Sequence, residues 1–237
     1  MQNKINVIGN GFLAKELKKI RFTNAKDFII YAAGISNSKT KNLVELKREV
    51  DKIKKCLKKL NKDKVLIYIS TLSVLEKKIH KDLYIKNKKK IEILIQKNLK
   101  NYIIFRFPQI VGKNTNPHTL TNFLYQKIKN EKNFIIWSKT KRNLIDIIDM
   151  KKIIKTILVN KNFKNKVFNI KNTESIYVEQ IVSILSKILK KRPKFNILKF
   201  KNTHIKNSIY KKTKNKYLIS IFKKKNYTET VLRRYYK

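Results

Sequence analysis

Glycine and proline are scarce in this sequence, with 4 and 3 among 237 residues. Collagen-like and Gly/Pro-rich low-complexity chains are thereby excluded, and each glycine carries weight as a placed residue. A single cysteine, Cys56, excludes an internal disulfide and any cysteine-based metal cluster. Three scattered histidines, His80, His118 and His204, argue against a zinc site, so no metal is expected. No apolar run approaches the roughly 18–20 residues of a membrane span. Met-Gln-Asn-Lys leads into a strand rather than a signal peptide, so a cytoplasmic protein is expected. Acidic residues are also few: 15 Asp+Glu face 59 Lys+Arg, a net charge of +44. The lysines fill nearly every exposed helical position instead of one face or tail, and neither an arginine cluster nor a nucleic-acid motif accompanies them. The balance therefore reads as compositional bias, with no specific nucleic-acid partner expected; its field would still attract an anionic substrate.

What is present is a hydrophobic content of 42% arranged in alternating strand and helix patterns. Lys4–Ile8 reads as a strand, followed by Gly9-Asn10-Gly11-Phe12-Leu13-Ala14 and a helix to about Ile20. This is G-x-G-x-x-A between a strand and a helix. Gly9 permits the tight turn, Gly11 lets backbone approach a pyrophosphate, and the small Ala14 packs helix on strand. Phe28-Ile29-Ile30-Tyr31-Ala32-Ala33-Gly34 is a buried strand whose tip carries small residues, as if something flat must lie there. The gap before it is too short for the strand, helix and strand of a full dinucleotide fold. Asp27 lies in range of the acidic residue that holds an adenosine ribose, but at the wrong end of a strand.

Residues 40–61 read as a helix with Leu43, Leu46, Val50, Ile53, Leu57 and Leu60 on one stripe and Cys56 beside it. Strand 64–70 ends on Ser70-Thr71, and a helix from Tyr84 to about Leu99 places Tyr84, Lys88, Ile91 and Ile95 on one side. Strand 102–107 leads into Pro108–Gly112, read as a loop. Beyond it lie helix 119–130, strands 134–137 and 143–147, helix 149–160, strand 166–170, helix 177–190 and strand 194–200. A polar tail over 203–216 and a helix near 228–236 complete the chain. Such βα alternation predicts an α/β fold: a Rossmann-like parallel sheet with helices on both faces, shortened after the first βα unit, plus a small C-terminal α+β substrate lobe. The dinucleotide-binding domain is expected over 1–112. An interwoven substrate-binding lobe is expected over 113–237, with strand 166–170 either in it or back in the main sheet.

These elements, in this order, resemble the extended short-chain dehydrogenase/reductase family, in its NAD-dependent epimerase/dehydratase branch acting on nucleotide sugars. The resemblance is carried by Val7–Ala14, Tyr31–Gly34, Tyr68–Val74, Tyr84–Lys88, Phe105–Gly112, Arg142–Asp149 and Val167–Ile170. Order counts for more than any one motif. Tyr-x-x-x-Lys occurs three times, as Tyr84/Lys88, Tyr125/Lys129 and Tyr210/Lys214, and only the first follows a strand ending in Ser-Thr.

The resemblance implies NAD or NADP as cofactor, a nucleotide sugar as substrate and a homodimer through helices 40–60 and 84–99. It implies Tyr84 as general acid/base, Lys88 lowering its pKa and holding the cofactor ribose, and Thr71 holding the reacting oxygen. Gly9, Gly11, Phe12, Leu13, Ala14, Ala32, Ala33, Gly34 and Pro108 would line the cofactor. Ser73, Gln109 and Arg142 would reach the substrate, Arg142 by its diphosphate, while Asp149 would cap the following helix. Leu72 and Ser73 replace the Asp-Glu pair of the sugar 4,6-dehydratases, which disfavours dehydration. The expected activity is thus epimerisation or ketone reduction on a nucleotide-linked sugar. The alternatives are a catalytically idle binder of cofactor or nucleotide sugar and, less favoured, a basic nucleic-acid binder. The short gap after the first helix leaves a strand near Ile20–Phe22, or a differently packed helix, as the ways to connect the sheet.

Overall fold

A computed structural model describes residues 2–61, 63–76, 82–159, 165–199 and 225–237. In chain order the elements begin with β1 (Asn3–Lys4), β2 (Asn6–Ile8), α1 (Phe12–Leu17), β3 (Arg21–Phe22) and a 3-10 turn (Ala25–Asp27). They continue with β4 (Phe28–Tyr31), α2 (Leu43–Lys59), β5 (Val65–Thr71), a second 3-10 turn (Leu72–Leu75), α3 (Leu83–Asn98) and β6 (Tyr102–Phe107). Then come β7 (Gln109–Val111), α4 (Leu120–Lys129), β8 (Phe134–Trp137), β9 (Lys141–Arg142), β10 (Leu144–Asp146) and α5 (Ile147–Val159). The last are β11 (Lys166–Asn169), β12 (Ile176–Tyr177), α6 (Val178–Leu189), β13 (Phe195–Leu198) and α7 (Tyr227–Tyr235). Two compact units divide them: Met1–Phe107 with Ile148–Ile170, and Pro108–Ile147 with Lys171–Lys237.

The first unit is built on a five-stranded sheet in the order β11-β6-β5-β4-β2, every pairing parallel. A parallel sheet covered on both faces favours near-continuous apolar strands, and β4, with β5 as far as Ile69, fits that description. On one face Ile29, Tyr31, Leu66, Tyr68 and Ile104 pack against Val50 and Ile53 of α2 and Ile91 and Ile95 of α3. The alternating residues Ile30, Ile67 and Phe105 are fully buried as well, so the opposite face is also covered. α1 and α5 are tied together by the Lys151–Glu16 ion pair at 2.6 Å.

The order of a doubly wound sheet, 3-2-1-4-5-6, survives here only from its first strand onward. β2 lies directly beside β4. α1 ends at Leu17, short of the expected Ile20, and the chain turns back as β3. The strand near Ile20–Phe22 therefore exists, but it pairs antiparallel with β1 outside the five-stranded sheet. Strand 166–170 is β11, at the edge of the main sheet beside β6.

Two expectations need correction. Leu43 is 66% exposed, because the α2 stripe enters the packed layer only at Leu46. The first turn of α2 is held instead by the Asn42 side chain, which accepts from the Val44 and Glu45 N–H groups at 3.0 and 3.2 Å. Residues 109–111 form a strand, not a loop: β7 pairs in parallel with the distant β10.

The second unit contains that pair together with β8–β13, parallel, and β9–β12, antiparallel. Its last helix, α7, is anchored on β10. The fully buried Asp146 pairs with Arg234 and accepts from the Tyr235 hydroxyl at 2.7 Å, and its N–H donates to the Tyr227 hydroxyl at 3.0 Å. The tail 203–216, with Tyr210 and Lys214, lies outside the described residues, as do His80 and His204. Among the described residues no helix is long and apolar enough to cross a membrane.

Candidate active site

Ligands of open α/β sheets bind outside the carboxyl ends of the strands. In the first unit, the candidate residues on β2, β4 and β5 gather at those ends. Gly9 follows β2 with φ +132°. A Cβ there would lie 2.6 Å from the Ala32 carbonyl oxygen and 3.0 Å from the Ala33 nitrogen. Glycine is thus required both for the backbone angle and for close approach to the tip of β4. Gly11 precedes α1, and a Cβ on it would meet nothing within 4 Å. Ala14 is fully buried, while Phe12, Leu13, Ala32 and Ala33 are half-buried.

Thr71 closes β5, and its Oγ1 accepts from the Ser73 N–H at 3.2 Å, capping the turn Leu72–Leu75. That turn packs against α3. The start of α3 is fixed by Asp82, whose side chain accepts from the Ile85 N–H at 3.1 Å. Tyr84 therefore stands in the first helical turn, half-buried, with Lys88 one turn on and 3% exposed. The Lys88 Nζ lies 5.3 Å from the centre of the Tyr84 ring and 5.9 Å from that of Tyr68. Tyrosine and lysine are brought together as the i, i+4 spacing requires.

The site also holds a residue that sequence reasoning missed. Glu49 of α2, 2% exposed, accepts from the Lys88 Nζ at 2.6 Å and, with its other oxygen, from the Asn87 amide at 3.0 Å. A Cβ on Gly34 would lie 2.6 Å from that Nζ and 2.8 Å from Glu49 Oε1, so the ion pair fills the space beneath Gly34. Leu46, Glu49, Val50 and Ile53 are the buried residues of α2, at i, i+3, i+4 and i+7. A carboxylate in the middle of an apolar stripe was the available signal.

Burial pushes the Tyr84 phenol above its ordinary value; Lys88 opposes the rise, and Glu49 and Asp82 add to it. Lys88 acts in the expected direction but does not prevail. For Lys88 itself, burial works to lower the pKa, and Tyr68, Tyr84 and Glu49 outweigh it, so the ammonium stays charged. Burial likewise raises Tyr68, and raises Tyr31 to about 12. The hydroxyls of Tyr31 and Tyr68 are buried with no hydrogen-bond partner among the described residues.

A second buried network sets α3 against β5 and β6. Glu92, fully buried, accepts from Arg106 Nε at 3.0 Å and Nη2 at 2.6 Å, and from the Ser70 hydroxyl at 2.6 Å. Arg106 Nη1 reaches Asn169 of β11 at 3.4 Å. Strand, helix and strand are thereby locked in the register that carries Thr71 and Tyr84.

Pro108, Gln109 and Arg142 belong to the second unit. With its oxygen facing them, the Gln109 amide accepts from the Leu120 and Thr121 N–H groups at 3.3 Å, capping α4. Arg142 stands exposed on β9, and its Nη1 donates to the Lys141 carbonyl at 3.0 Å. Asp149 is buried in the first turn of α5. Asp27 lies exposed in the 3-10 turn before β4, away from the strand ends that carry the site. Among the described residues, no group of three or more His, Cys, Asp and Glu could hold a metal.

Comparison of this architecture with solved structures gives consistent relatives. UDP-N-acetylglucosamine 4-epimerase from Methanobrevibacter ruminantium is 18% identical, with a TM-score of 0.64, over 88% of this chain and 75% of that one. UDP-glucuronic acid 4-epimerase from Bacillus cereus, solved with UDP-glucuronic acid and NAD, is 22% identical, with a TM-score of 0.60, over 80% and 66%. UDP-glucose 4-epimerase from Thermus thermophilus, solved with NAD, is 12% identical, with a TM-score of 0.58, over 73% and 65%. The fold is that of the nucleotide-sugar epimerases. It is the Rossmann-like α/β fold, shortened: the match spans 65% of the Thermus enzyme's length. No family model matches the sequence, and no curated protein matches it.

Proposed function

We propose that this chain is an NAD(P)-dependent epimerase or ketoreductase acting on a nucleotide-linked sugar. The observation that carries the reading is Lys88 Nζ, 5.3 Å from the centre of the Tyr84 ring, on the first turns of a helix that packs against the end of β5. The epimerases that share this fold are solved with NAD or UDP-sugars.

The residues present fit a nicotinamide dinucleotide in part. Gly9 makes the turn after β2, and the open space over Gly11 leaves its backbone accessible to a diphosphate. Gly11, Phe12, Leu13 and Ala14 would border the phosphates; Ala32 and Ala33, the flat rings; and Lys88 and Tyr84, the nicotinamide ribose. β2 is the edge of the sheet, so among the described residues no strand on its outer side carries an acidic residue for the adenosine ribose.

When bound, the nicotinamide supplies the hydride acceptor and donor. The chain supplies proton transfer and orientation. Tyr84 exchanges a proton with the sugar oxygen at the reacting carbon. Thr71 uses an acceptor lone pair on the Ser73 N–H, which leaves its O–H to donate to that oxygen. Lys88 steadies the negative charge that develops on Tyr84. By the family resemblance, Pro108 would border the nicotinamide, and Ser73, Gln109 and Arg142 would reach the substrate, Arg142 as a planar donor fork for a diphosphate. Replacing Tyr84 with Phe keeps the ring and removes only the hydroxyl. Turnover should fall by about 10²–10⁴-fold with the fold intact; unchanged turnover would sink the assignment.

Two observations favour a second reading, that of an idle binder. Glu49 holds Lys88 in a buried ion pair, and the adenosine side lacks its acidic residue. Retained NAD or NADP binding without turnover of any nucleotide sugar would decide for it.

A further inference from the structure

We propose that Glu49 is a positioning residue that clamps the Lys88 ammonium beneath Gly34 and withholds its charge from Tyr84. The inference deepens the reading of Tyr84 as acid/base and rests on it. Its geometry is unequal in a telling way. The Lys88 Nζ lies 2.6 Å from Glu49 Oε1 but 5.3 Å from the centre of the Tyr84 ring. From the phenol, a bare ammonium would be a cation, whereas the clamped pair is close to a dipole with little net charge.

The clamp is built, not incidental. Asn87 holds the second carboxylate oxygen at 3.0 Å, so two successive residues of α3 fix one carboxylate of α2. Both partners are almost wholly buried, and the absence of a side chain at Gly34 makes room for them. The groups that act on Tyr84 come from three elements. Lys88 and Asp82 lie on and at the start of α3, Glu49 reaches in from α2, and Tyr68 of β5 faces the same ammonium. Of these, Lys88 favours the phenolate, while Glu49 and Asp82 favour the phenol. Burial first, and Glu49 with it, thus hold Tyr84 as an acid, able to give a proton before it can take one.

The test is a tyrosinate-absorbance titration of the full chain without cofactor. Subtracting the same background carrying Y84F isolates Tyr84. A charge within about 4–6 Å moves a pKa by about 1–3 pH units, and the Lys88 ammonium is 5.3 Å from the centre of the Tyr84 ring; by freeing that charge, E49Q should lower the Tyr84 midpoint by about one pH unit or more. K88M should raise it. In the K88M background, adding E49Q should lower it again; this comparison serves if E49Q alone does not fold, since replacing both members of a buried pair is well tolerated. A midpoint that stays put or rises on removing Glu49, in either background, overturns the proposal. The titration involves no turnover. Failure of the epimerase reading, seen as Y84F retaining activity, is therefore distinguishable from failure of the clamp.

Discussion

The replacement of Arg106 by Met tests how the site is held, without reference to any activity. Arg106 gives Glu92 two charge-assisted hydrogen bonds, at 3.0 and 2.6 Å, and Glu92 is fully buried. Removing one member of such a pair costs about 3–5 kcal/mol, because the other charge loses its main partner; the part-exposed Lys89 ammonium, 3.9 Å from Glu92 Oε2, compensates it only weakly. R106M should therefore lose about 3–5 kcal/mol at neutral pH. In urea, followed by far-ultraviolet circular dichroism, the neutral-pH loss corresponds to a midpoint lower by about 1–2 M. Adding E92L removes the stranded charge and should restore about 2 kcal/mol or more. A neutral-pH loss under about 1 kcal/mol would refute this account of the α3 lock.

Other consequences are direct. Tyr68 buries a hydroxyl without a partner among the described residues, so Y68F should stabilise the protein by about 1–3 kcal/mol; a lower urea midpoint would count against it. Tyr31, Tyr68 and Lys88 all bind their protons more tightly in the folded state. Stability should therefore hold below about pH 10 and fall as pH rises through the folded values, by about 1.4 kcal/mol per pH unit for each group titrating. Unfolding midpoints across alkaline pH check both the sign and its attenuation in Y68F. Gly9→Ala forces a Cβ to 2.6 Å from the Ala32 carbonyl oxygen at φ +132° and should cost about 1–3 kcal/mol or more. A wild-type urea midpoint would contradict that.

Much of the first unit was legible in the sequence because its signals are long. β5 is an unbroken apolar run and α3 a sixteen-residue helix with Ile91 and Ile95 beneath Tyr84 and Lys88. Their order around Thr71 placed the site. Short elements were harder. β7 has three residues and β3 two, too few to show a period, and their partners β10 and β1 are set by tertiary pairing. Glu49 and Glu92 were missed for another reason. Periodicity was read for apolar residues alone, whereas each carboxylate occupies an inward position on its helix and is matched by a cation from elsewhere, Lys88 or Arg106. Gly34 carried a signal whose meaning changed: the space it leaves is taken by the Lys88–Glu49 pair.

The central claim is that Tyr84 transfers the proton in a nicotinamide-dependent reaction on a nucleotide sugar. The most direct measurement is product formation from a panel of UDP-sugars with NAD or NADP, for the parent chain and Y84F side by side, with products identified by mass spectrometry and NMR. The account predicts conversion by the parent and a loss of about 10²–10⁴-fold in Y84F, with the fold unchanged by circular dichroism. Equal rates in the two proteins, or cofactor binding with no conversion of any sugar, would contradict it.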